Sequence, residues 1–76
     1  MPVSSPTEAI REQLMANSPE YQHLREEHAR YAAQLDALAK KTYLTDQEKL
    51  EEVRLKKLKL RAKDQMELMV KQAQHT

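Results

Sequence analysis

Cysteine, glycine, phenylalanine and tryptophan are all missing from this 76-residue chain. Without cysteine there is no disulfide, no thiolate metal ligand and no thiol nucleophile. Without glycine, turns that need a positive φ and the loops that cradle phosphate lose the residue best suited to them. Net charge is only +1, so no strong overall field directs the chain to nucleic acid or to a membrane surface. The longest apolar runs, Leu68-Met69-Val70 among them, stop at three residues, against the roughly 20 of a membrane span. Met1-Pro2-Val3-Ser4-Ser5 lacks the cationic start and apolar run of a secretory signal. Cytoplasmic residence is the resulting expectation, and an absence of cysteine is compatible with a reducing compartment.

What remains is helical material: a third of the residues are charged, and the apolar ones are mostly aliphatic. Tyr21, Leu24, His28, Tyr31, Leu35, Leu38 and Thr42 follow one another at alternating steps of three and four, the seam of an amphipathic helix packed on another helix. Three starts are written locally. Ser5-Pro6 with Glu8, Ser18-Pro19-Glu20, and Thr45-Asp46 with Glu48 each offer an oxygen to backbone amides that a helix leaves unpaired. Residues 1–17 are therefore read as an N-terminal segment with a short helix over about 6–16, stopped by a left-handed Asn17. Residues 18–76 are read as a hairpin with helices over about 19–41 and 46–72, joined by Thr42-Tyr43-Leu44, too short for anything but an antiparallel return. Leu44 is expected to pack over the first turn of the last helix, near Leu50.

The last helix is apolar on two sides. At about 100° per residue, Leu55, Leu58, Ala62, Met66 and Met69 fall within roughly 80°, while Leu50, Val53, Leu60 and Leu68 fall nearly opposite. The second group is interleaved with Lys57, Asp64 and Lys71. Two apolar stripes need two neighbours. One is the preceding helix; the other is the short helix or a second chain, giving a hairpin that self-associates into a helical bundle, with a homodimer expected. The residues expected to carry assembly are Leu24, Tyr31, Leu35, Leu38, Leu50, Val53, Leu58 and Leu60.

Between Met15 and Met69 the chain also resembles the YdcH-like family of small bacterial proteins of unknown function. The residues that carry the likeness are Ser18-Pro19-Glu20-Tyr21, Glu27-His28, Lys41-Thr42-Tyr43-Leu44-Thr45, the run from Glu51 to Leu60, and Lys63-Asp64. The resemblance implies a helical hairpin or coiled coil without an established activity, ligand or catalytic residue.

Candidate chemistry is sparse. Glu20 and His23 match the Glu-x-x-His spacing of di-iron bundles, but with Tyr21 and Leu24 in the seam His23 falls on the outer face, so neither metal nor cofactor is expected. Ser4, Ser5 and Ser18 belong to chain ends or caps, and no nucleophile motif is present, so an enzyme is not expected. His28 lies in the seam. It serves either as a group whose protonation disfavours association in acid or as a polar residue that sets register by bonding Tyr31, Tyr21 or a polar group across the interface. Arg54, Lys56, Lys57, Lys59, Arg61 and Lys63 form a run without an acid that could lie along phosphates with strong salt dependence. The six split between two flanks, however, and tyrosine alone could stack on bases. The expectation is a non-enzymatic coiled-coil interaction or adaptor module. Its alternative is a weak, non-specific nucleic-acid binder through residues 54–63.

Overall fold

The computed structural model describes residues 6–74 and contains three α-helices. These are α1 (Pro6–Asn17), α2 (Pro19–Ala39) and α3 (Asp46–Gln74), with no strand among the described residues. The all-α hairpin expected from the seam is the architecture observed. Ser5, the expected cap of α1, lies outside the described residues. The molecule measures 47 × 28 × 17 Å, its long dimension set by α3, whose 29 residues span about 43 Å at 1.5 Å per residue.

One residue separates α1 from α2. Ser18 is extended (φ −111°, ψ 108°), the backbone a following proline imposes, and its hydroxyl oxygen accepts the Tyr21 N–H at 3.2 Å. Ser18 N–H still donates to the Leu14 carbonyl at 2.8 Å, so α1 closes its last turn before the chain bends. The left-handed stop expected at Asn17 is not used: no non-glycine residue among those described has a positive φ. Asn17 stays helical because the extended Ser18 makes the corner by itself.

Both ends of the main hairpin turn are local in origin. The Lys40 N–H reaches the Asp36 carbonyl at 3.2 Å and the Lys41 N–H reaches Leu38 at 3.1 Å, so the spacing tightens from four to three and α2 ends at Ala39, two residues earlier than expected. Thr42 therefore leaves the seam and is exposed. Thr45 and Glu48 then form the expected reciprocal box. The Glu48 N–H donates to Thr45 Oγ1 at 3.1 Å, and the Thr45 N–H donates to Glu48 Oε1 at 3.0 Å. Lys41 reaches across the turn to the same carboxylate. Lys40 pairs with Asp36 at 3.2 Å, while Glu26 and Arg30, at the same i,i+4 spacing, form no ion pair. Both side chains are exposed, where holding an ion pair gains little over solvation.

The packed interior is thin. Tyr21 on α2 and Leu55, Ala62 and Val70 on α3 are buried, and no described side chain is fully enclosed. Leu24, His28, Tyr31, Leu35 and Leu38 are half-buried along α2, opposite half-buried Leu58, Met66 and Met69. The short helix docks. Ile10, Leu14 and Met15 are half-buried, Gln22 donates from Nε2 to the Met15 carbonyl at 2.6 Å, and Gln74 donates to Thr7 Oγ1 at 3.1 Å.

Candidate interaction surface

Outside its buried positions, α3 holds the second apolar stripe in the open. Leu50 is 72% exposed, Val53 50%, Leu60 58% and Leu68 48%. An isolated exposed leucine on a protein surface needs no explanation, but several in helical register on one face do. The eight residues expected to carry assembly thus divide. Leu24, Tyr31, Leu35, Leu38 and Leu58 are half-buried within the hairpin, whereas Leu50, Val53 and Leu60 face out. The expected packing of Leu44 near Leu50 does not cover Leu50: Leu44 is half-buried, but Leu50 is the most exposed member of the stripe.

Two shallow grooves run beside the hairpin seam. One of about 560 Å³ is bounded by α1, α2 and α3 and includes Arg11, Tyr21, Arg25 and Met66. The other, about 710 Å³, has an apolar floor of Ala32, Leu35, Ala39 and Leu60. His28, Lys59 and Lys63 border both. This convergence joins residues from two helices, so the spacing within the basic run cannot reveal it. Lys56 also lines the second groove but pairs with Glu52 at 3.7 Å. Arg54 lies 3.9 Å from Glu51 on the opposite flank. Lys57 and Arg61 are exposed. The six cations therefore form no single stripe, and two of them are held by their own helix.

His28 does not bond a tyrosine. The Tyr31 hydroxyl instead donates to Glu27 Oε2 at 3.1 Å, and Glu27 Oε1 meets His23 Nε2 at 2.8 Å. Glu27 thus joins residues one helical turn either side of it, a contact that i,i+4 spacing permits. That carboxylate, accepting a hydrogen bond from the neutral phenol, pushes Tyr31 above its ordinary pKa, with partial burial adding to the effect. His23 sits outside the seam, and among the described residues no three His, Cys, Asp or Glu side chains are grouped to hold a metal ion. At the turn, the bond from Lys41 and the backbone bond from Thr45 hold Glu48 below the usual carboxylate range, against the smaller opposing effect of desolvation. No described helix is long and apolar enough to cross a membrane.

The hairpin alone, without α1, accounts for the likeness to known proteins. A family model described as "Protein of unknown function (DUF465)" matches residues 22–70, from the first turn of α2 through the capped turn to Val70. The chain belongs to this DUF465 family. YdcH-like small proteins are members, so the likeness carried by Glu27-His28 and the Lys41–Thr45 turn is to the right family. No curated protein and no solved structure matches the chain. The DUF465 match spans the inward seam from Leu24 onward and the outward stripe as far as Leu68, and it leaves out α1, the Ser18 cap and Tyr21.

Proposed function

We propose that this DUF465 protein is a non-enzymatic, helix-mediated interaction module working in the cytoplasm, with the outward face of α3 as its recognition surface. The observation that carries this reading is the exposed stripe of Leu50, Val53, Leu60 and Leu68 on a helix whose opposite side is already packed. A partner helix laid along it would bury about 25 cal/mol of apolar stabilisation per Å² covered. The grooves are open, unlike the enclosed clefts that hold small ligands, which favours docking over catalysis.

The nucleic-acid alternative has one feature in its support: Lys59 and Lys63 stand beside His28 at the junction of the two grooves. Against it, Lys56 and Arg54 are engaged by Glu52 and Glu51, and the remaining cations point in different directions. Affinity for single-stranded nucleic acid that falls steeply with salt and vanishes on neutralising Lys59 and Lys63 would support the alternative.

A photo-activatable cross-linking residue placed in living cells at Val53, Leu60 or Leu68, and at Gln34 or Ala37 on α2 as controls, tests the main reading. Cross-links concentrated at the three α3 positions are expected. Equal yields at all five positions, or none at the stripe, would overturn it.

A further inference from the structure

We infer that the occupant of the α3 stripe is α3 of a second copy, lying antiparallel about a two-fold axis beside Leu60, with Lys57 of each copy against Asp64 of the other. This rests on the interaction reading above and names its partner. The first support is the thin interior: no described side chain is fully enclosed, and chains of this size commonly need oligomerisation to complete a core.

The second support is the order of residues along the stripe. Lys57 stands three residues before Leu60 and Asp64 four residues after it, or about 4.5 and 6 Å along the axis. Rotation about a two-fold near Leu60 therefore brings Lys57 to within about 1.5 Å of the height of the second copy's Asp64. Val53 and Leu68, seven and eight residues away, meet in the same way. Leu50 lies level with the aliphatic stem of Lys71, which can cover it while the ammonium stays in water. Every stripe residue thus finds a complement on its own copy, as an isologous interface requires. A parallel copy would set Lys57 against Lys57 and Asp64 against Asp64, and like charges across an interface suppress that arrangement. Within the chain, no ion pair among the described residues takes up Lys57 or Asp64, so both charges are free to pair outward.

Sedimentation equilibrium of the full chain and three variants tests the charge pairing. Lys57→Asp and Asp64→Lys should each weaken the dimer by about tenfold or more, and the double swap should restore it. Restoration fails in a parallel dimer, because the swap leaves like charges facing each other. The natural chain has no cysteine, so oxidation of single-cysteine variants reads the geometry independently. Leu60→Cys should form a disulfide dimer, and Val53→Cys should link to Leu68→Cys in a mixture. A chain that is monomeric at every concentration, or Leu50→Cys linking to itself as readily as Leu60→Cys, would overturn the inference. A monomer in vitro that still cross-links through the stripe to a different protein in cells would overturn the second copy and leave the interaction reading standing.

Discussion

Truncating Leu55 to alanine separates the packed side of α3 from the open one. Leu55 is only 3% exposed, the most enclosed of the buried core residues, and removing a buried leucine costs about 2–5 kcal/mol through lost transfer energy and the cavity left behind. The interior here is thin and can partly collapse, which places the loss toward the lower end, at about 2–3 kcal/mol. A folded chain of 76 residues holds about 4–11 kcal/mol in total, so this one isopropyl group accounts for about a fifth of it or more. In a domain of this size each kcal/mol moves the melting temperature by about 4–8 °C. Leu55→Ala should therefore lower Tm by about 10 °C or more at every protein concentration. Leu60→Ala, which opens no cavity inside the hairpin, should leave the dilute chain's Tm within a few degrees. Its effect should emerge as concentration rises, where mass action would stabilise the proposed dimer. Thermal unfolding by circular dichroism at two concentrations at least a hundredfold apart reads both. A Leu55→Ala chain that melts with the native one, or a Leu60→Ala loss of equal size when dilute, would refute the assignment of the two faces.

Thr45→Ala removes the acceptor for the Glu48 N–H and should cost about 1 kcal/mol in chemical denaturation; a change near zero would mean that the cap does not govern the start of α3. Glu48 has a depressed pKa in the fold, so it contributes stability above its ordinary value of 4.5 that is lost as pH falls through the lower folded value. Glu48→Gln, which keeps the box geometry, should flatten the acid limb of Tm against pH, and an unchanged limb would exclude the Lys41–Glu48 contact as its source. Tyr31 has a raised value, so its contribution is complete below the unfolded tyrosine range and disappears as pH rises through the folded value; Tyr31→Phe should blunt the alkaline loss of stability. His28→Leu should raise Tm by extending the apolar seam, and a lowered Tm would show that the half-buried imidazole makes a contact the fold depends on.

The helix starts and the two faces of α3 were legible because each is determined within a few residues. Ser18 and Thr45 act on amides one turn ahead, and a fixed angle per residue sorts Leu55 from Leu60 without knowledge of the fold. Where reading the chain failed, a competing contact decided the outcome. Asn17 was a plausible left-handed stop until Pro19 forced Ser18 to extend and made the corner there. Tyr31 was a fair partner for His28, but Glu27 on its own helix stands one turn away and takes the hydroxyl. The docking of α1 rests on Gln22 and Gln74, polar side chains whose partners, Met15 and Thr7, are set by how the helices fold back. The groove shared by His28, Lys59 and Lys63 has the same origin. It joins two helices, so no spacing within either one announces it.

Oxidative footprinting asks most directly whether the stripe is a surface in use. Hydroxyl-radical labelling of Leu60 in cells, compared with the dilute purified chain, should fall several-fold, while Tyr43 at the hairpin tip, 87% exposed, keeps its reactivity in both. Equal labelling of Leu60 in the two settings would mean that nothing covers α3, and the reading of this protein as a helix-docking module would fail with it.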